Sequence, residues 1–136
     1  MANETLTINQ LTAMSDEDTI FEAAHIQTMI LRNSNNISKW LGILSIEGVK
    51  QRTLLLDLNE YYSGQYKHFR WDSEYECARA EIPIMINGDP EYMRRKKILE
   101  ISKQKLDLIE GTLKSLSGLG FNIRNFIEWE KIKTGL

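Results

Sequence analysis

One cysteine, two histidines and two prolines in 136 residues are few, and each scarcity excludes something. Cys77 has no partner for an internal disulfide, and a lone thiol fits a reducing compartment. No companion motif surrounds it, so a buried or idle thiol is the expectation. His25 and His68 stand far apart, and neither has a set of ligands at metal spacing. Glycine-rich phosphate loops, nucleophile elbows and the HExxH pattern are all missing, so neither an enzyme nor a cofactor is expected. The longest apolar runs, Ile82–Ile86 and Leu54–Leu56, fall far short of a membrane span. Residues 1–9 lack the basic and apolar segments of a signal peptide, which leaves the cytoplasm as the expected location. The two N-x-S/T matches, at Asn3 and Asn36, carry no weight in such a chain.

What is present suits a folded domain. Hydrophobic residues make up 42 %, charged residues 26 %, and the length favours one domain over 1–136. The net charge of −2 conceals an alternation. Residues 1–36 carry five acidic and one basic side chain, and residues 37–70 three acidic and five basic. Residues 71–91 then carry six acidic and one basic, and residues 92–136 five acidic and ten basic. That pattern suits charge matching between subunits or a basic face; plain solvated faces explain it equally well.

Periodicity predicts a mainly α protein with two long antiparallel helices and flanking N- and C-terminal helices. Residues 1–14 are polar and read as a flexible tail. Ser15 and Asp18 resemble a capping box opening a first helix over 16–32, with Ile20, Ala23, Ala24, Gln27 and Leu31 as its stripe. Asn33-Ser34-Asn35-Asn36 is expected to end it and cap the next. A second helix over 37–62 places Ile37, Leu41, Leu44, Gly48, Gln51, Leu55, Leu58 and Tyr62 on one seam, closed by Ser63-Gly64. Glu81–Ile86, followed by Asn87-Gly88, reads as an edge strand containing Pro83. A short β-hairpin or extended insertion is therefore expected near 65–88, its partner strand somewhere in 66–78. Asp89-Pro90 opens a third helix to about Leu116, with Tyr92, Leu99, Ser102, Leu106, Ile109, Leu113 and Leu116 on its seam. Ser117–Gly120 should end it. A final amphipathic helix, 121–136, presents Ile123, Phe126, Ile127 and Trp129 either to its own domain or to a partner.

Two stretches carry chemistry. Tyr61–Trp71 interleaves aromatic rings with cations: Tyr66, Lys67, His68, Arg70 and Trp71 follow the Tyr61-Tyr62 pair. Single-stranded nucleic acid is held by that mixture, bases on rings and phosphates on cations, at roughly 1–3 kcal/mol per stacked base. The same mixture also occurs at protein interfaces or packed beneath a loop. Arg94-Arg95-Lys96-Lys97 covers all sides of a helix near its N-terminus, where cations are mildly unfavourable. Its placement hints at an anionic partner, although a solvated run is the commoner case. Lys50 and Arg52 would extend this patch if the long helices are antiparallel.

The order of landmarks resembles the UvsY family, recombination mediators of T-even bacteriophages and their relatives. The matching segments are Ser38-Lys39-Trp40-Leu41, Tyr61-Tyr62-Ser63-Gly64, and Ile109-Glu110-Gly111 with Leu113-Lys114-Ser115 and Gly120–Arg124. They span roughly 37–135. The resemblance implies a non-enzymatic protein acting in DNA recombination, repair and replication in the cytoplasm of an infected bacterium. It implies binding to single-stranded DNA and contact with the phage single-strand-binding protein. It also implies loading of a RecA-like recombinase by a ring-like homo-oligomer, and gives Ile123, Phe126, Ile127 and Trp129 the assembly role. Family members tend to carry basic residues just before the Tyr-Tyr-Ser-Gly landmark, where this chain has Leu56 and Leu58. DNA contacts would accordingly shift to Lys50, Arg52, Lys67 and Arg70, or to Arg94–Lys97. The alternative is a structural or adaptor oligomer whose basic patches are subunit contacts.

Overall fold

The computed structural model describes residues 6–72 and 78–135. Cys77, Asn3, the first five residues of the expected tail and residues 73–77 of the expected partner strand lie outside that range. The chain is mainly helical, and there is no strand among the described residues. In chain order the elements are α1 (Ile8–Asp18), a 3-10 turn (Ala23–His25), α2 (Ile26–Lys67), a π-helical turn (His68–Asp72), α3 (Ile82–Asn87) and α4 (Pro90–Lys133). Contacts divide the chain into two compact units, Met1–Ile46 with Gln104–Leu136, and Glu47–Lys103.

In the first unit, most of the described part of the expected tail is helix. Thr7 accepts from the Gln10 amide at 3.1 Å, and the Gln10 side chain accepts from the Thr7 amide at 2.9 Å. This reciprocal box opens α1 eight residues before the expected start. Leu11 is buried in a cluster with Trp40, Ile109 and Leu116, and Leu6 and Met14 pack against it, so a few apolar side chains hold an otherwise polar segment. Ser15, expected as a cap, lies inside α1, where its hydroxyl accepts from Thr112 at 2.8 Å. The helix ends at Asp18, not Arg32, and the predicted stripe is exposed at Ile20, Ala23, Ala24, Gln27 and Leu31.

Asn33–Asn36 does not break the chain either, since α2 passes through all four residues. Asn33 is buried, and its amide donates to the Leu116 carbonyl at 3.2 Å. A tertiary hydrogen bond thus replaces the local capping that would have stopped the helix. The true seam of α2 includes Asn33, Trp40 and Glu47, seven residues apart, with Leu54 and Tyr61 half-buried beyond them. Two polar members hide it from an apolar count. Of the expected seam, Leu58 is buried and Ile37 and Leu44 pack against the core, whereas Leu41 and Leu55, one position from the true seam, are 51 % and 46 % exposed.

The second unit buries Leu58, Ile82, Ile86 and Leu99. The Ser63-Gly64 pair is helical, and α2 continues to Lys67. The expected hairpin is replaced in its described part by α3, with Pro83 in its first turn. Ile82 and Ile86, four apart, are both buried, whereas Ile84 and Met85 are exposed. That is a helical face, and the position of Pro83 needs no backbone donor. Buried Glu47 accepts from Ser102 at 3.0 Å.

Helix α4 begins at Pro90 as expected but runs 44 residues, straight through Ser117–Gly120. Buried Leu116, Leu119 and Ile123 continue one face across that stretch. Residues 121–133 therefore belong to α4 and form no separate helix. The left-handed residue that follows is Gly135, at φ 75°.

Candidate nucleic-acid interface

The second unit brings both chemically marked stretches together. Asp89 precedes the first residue of α4, and its Oδ1 accepts from the Glu91 amide at 3.2 Å, an N-cap. Its Oδ2 accepts from the Tyr61 hydroxyl. The guanidinium of Arg95 lies 4.6 Å from the centre of the Tyr61 ring. One residue on, the Tyr62 and Tyr92 rings meet at 5.8 Å and 57°. Three side-chain contacts thus join the last turns of α2 to the start of α4.

Glu91 accounts for two of the four cations near this helix N-terminus. Arg94 donates to both of its oxygens, at 2.9 and 2.7 Å, and Arg95 to one, at 2.8 Å. Those hydrogen bonds, from Arg94 first and Arg95 second, hold the Glu91 carboxyl at about 2. Arg94 is pushed up in return by the same pairing. The hydrogen bond to Asp89, then burial and the charges of Asp89 and Glu91, push the Tyr61 hydroxyl up, so it remains a donor.

The remaining expected DNA-binding residues are distributed around this junction. Lys96 and Lys97 are exposed and have no ion-pair partner among the described residues. They line a groove of about 400 Å³ with Asn87, Tyr92, Met93 and Glu100. Tyr66 is half-buried and Lys67 exposed at the end of α2. His68, Arg70 and Trp71 are exposed on the π-helical turn, Trp71 at 70 %. His68 and Phe69 meet edge-to-face at 5.4 Å. Earlier on α2, Lys50 is half-buried and Arg52 exposed. Further along α2, Leu56 is exposed and Leu58 buried.

The residues expected to serve assembly are in the first unit and are mostly committed to it. Ile123 is 2 % exposed and packs with Met29 and Leu119, so it faces its own unit, the first of the two expected alternatives. Ile127 packs against the same cluster, and Phe126 meets Phe21 edge-on at 5.9 Å. Trp129 is 56 % exposed, with the Lys133 ammonium 5.1 Å from its ring. The two histidines are apart: His25 pairs with Glu22 at 3.3 Å in the first unit, and His68 lies in the second. No group of three or more His, Cys, Asp or Glu suited to a metal occurs among the described residues, and no described helix is long and apolar enough to cross a membrane.

Sequence reasoning missed the acidic half of this surface. Glu91 stands three and four residues before Arg94 and Arg95, a spacing at which helical ion pairs form, so it was readable. The Tyr61–Asp89 contact has no such local signal.

No curated protein matches the chain in sequence. Crystal structures of the bacteriophage T4 recombination mediator protein UvsY share its fold. One, in lattice type II, has a TM-score of 0.87 at 15 % identity over 96 % of this chain and 99 % of that one. A second, in lattice type IV, has a TM-score of 0.85 at 17 % identity, covering 94 % and 99 %. A third, in lattice type I, gives 0.83 at 16 % identity, covering 90 % and 98 %. The family model described as the recombination, repair and ssDNA binding protein UvsY matches residues 14–136, and the chain belongs to that family.

Proposed function

We propose that the protein is a non-enzymatic recombination mediator. It binds single-stranded DNA as a homo-oligomer and promotes loading of a RecA-like recombinase in place of the single-strand-binding protein. Membership of the UvsY family and the fold shared with the T4 mediator support this reading. The observation that carries it is the placing of Lys96 and Lys97 on one groove with Tyr92, whose ring lies beside that of Tyr62, which concentrates rings and cations on one unit. Single strands are recognised by that combination, because every base offers a π-face and every phosphate a charge. Antiparallel long helices fit the contact order within each unit. Asn33 meets Leu116 and Trp40 clusters with Ile109 in one; Glu47 meets Ser102 and Tyr61 meets Arg95 in the other. Trp129 and Ile132, 56 % and 76 % exposed near the end of α4, leave apolar surface there for self-assembly.

Fluorescence anisotropy of a labelled single-stranded oligonucleotide over a salt series, with light scattering for mass, tests the reading. Binding that weakens steeply with salt and a mass above the monomer are expected. Absence of salt-sensitive binding at low ionic strength leaves the adaptor alternative. Recombinase filament formation on strands coated with the single-strand-binding protein, with and without this protein, tests the loading step.

A further inference from the structure

The four cations that open α4 are not equivalent. Arg94 and Arg95 share one carboxylate, Glu91, and Arg95 also covers the Tyr61 ring. Their donors are directed into the protein's own contacts. Lys96 and Lys97 have no ion-pair partner among the described residues and face the groove of about 400 Å³. The other charge in that groove, Glu100, is met by Lys103 at 3.3 Å. Tyr92 has Tyr62 beside its ring and also lines the groove, next to Met93; Asn87 adds an amide. A groove of this size falls within the range of small-molecule clefts, about 300–1,000 Å³. Lysine is a mobile point charge suited to a phosphate, whereas arginine locked in a fork on a carboxylate is a structural tie.

We infer that this groove is a nucleotide-holding subsite, in which one base of a single strand lodges against Tyr92 and Met93 while Lys96 and Lys97 neutralise the flanking phosphates. Arg94 and Arg95 take no phosphate; they hold the start of α4 to the end of α2. The inference rests on the proposed binding of single-stranded DNA and specifies where and how the strand is held.

The test uses the full chain and a dye-labelled oligothymidylate, followed by anisotropy from low to moderate salt. Each phosphate neutralised on a single strand contributes about 0.7 to the slope of log affinity against log salt. The Lys96→Ala/Lys97→Ala variant is expected to lose about 1.4 of that slope per engaged protomer, while Arg94→Ala keeps it. In parallel, an oligonucleotide carrying 5-iodouracil is photocrosslinked and the adducts are mapped by mass spectrometry; Tyr92 or Met93 is the expected site. An unchanged slope in the double lysine variant, with wild-type binding intact, overturns the subsite and leaves DNA binding standing. Adducts confined to Tyr66 or Trp71 overturn the lodging of a base in the groove. Absence of wild-type binding overturns both. Circular dichroism checks the fold, and Lys96→Gln/Lys97→Gln repeats the measurement if alanine disturbs it.

Discussion

The Tyr61 hydroxyl donates to the Asp89 carboxylate, and the same carboxylate caps the Glu91 amide at 3.2 Å. One side chain therefore both starts α4 and ties it to α2. Tyr61→Phe removes the tie to α2 alone and should cost about 1 kcal/mol, the usual net value of such a bond. Asp89→Ala removes both and should cost about 2 kcal/mol, a cap adding roughly 1. Urea unfolding of the two variants measures the difference. Equal costs would mean that the cap adds nothing.

A second carboxylate governs the other unit. Asp18 is the last residue of α1, where a negative charge meets the negative end of the helix. It is held there by the Lys39 ammonium at 2.6 Å and the Trp40 indole N–H at 2.8 Å, both on Oδ2. Trp40 is fully buried and Lys39 is 43 % exposed, so the two partners respond differently to its loss. Asp18→Ala strands a buried N–H and should cost about 2 kcal/mol. Lys39→Ala breaks a partly solvated pair and should cost under about 1 kcal/mol. Thermal denaturation distinguishes them; similar losses would show that charge, and not the indole, sets the energy.

These contacts mark what was legible in the sequence. Asp89-Pro90 as a helix start follows from local chemistry and is found where expected. The seam of α4 is readable at Leu99, Ser102, Ile109 and Leu116, all buried. Thr7-Ile8-Asn9-Gln10 is a literal capping box that the polar composition around it obscured. The rest was not local. Asn33 stays helical because Leu116, 83 residues away, supplies an acceptor. Ile82 and Ile86 form a helix because both are buried on one side, which β-branching alone cannot reveal. At the interface, Tyr61–Trp71 and Arg94–Lys97 stand out as compositions. That Arg95 lies on Tyr61 and is bound to Glu91, leaving Lys96 and Lys97 unpaired, required the fold.

Glu91 gives the interface a defined acid sensitivity. Its carboxyl is held at about 2, below the ordinary value of 4.5, chiefly by hydrogen bonds from Arg94 and then Arg95. A depressed folded value means that its contribution is complete above the ordinary value and is lost as pH falls toward about 2. Glu91→Gln lacks that contribution at every pH. The stability gap between wild type and variant should therefore be constant from neutral pH down to about 4.5 and narrow between there and about 2. Exposure and salt keep the gap small, so chemical denaturation at low ionic strength is the measurement. A gap that widens on acidification would reverse the assignment.

Glycine in the second half of α4 allows a sharper comparison, because Gly111, Gly118 and Gly120 share one helix but not one environment. A Cβ at Gly111 or Gly118 meets nothing within 4 Å, whereas at Gly120 it lies 3.1 Å from Nδ2 of Asn33. Alanine in a helix interior gains about 0.5–1 kcal/mol over glycine where space is free, so Gly111→Ala and Gly118→Ala should stabilise by that amount. At Gly120 the neighbour must yield, and it has little freedom to do so. Asn33 is buried and donates to the Leu116 carbonyl, and its Oδ1 is a buried oxygen with no hydrogen-bond partner among the described residues. Displacing Nδ2 would lengthen its bond to the Leu116 carbonyl, at about 1–3 kcal/mol for a buried group left unpaired. Since that exceeds the propensity gain, Gly120→Ala should destabilise while the other two stabilise. Midpoints of thermal unfolding for the three variants read the sign directly. A rise for Gly120→Ala equal to that for Gly118→Ala would mean that Asn33 moves freely and does not hold α2 through its asparagine cluster.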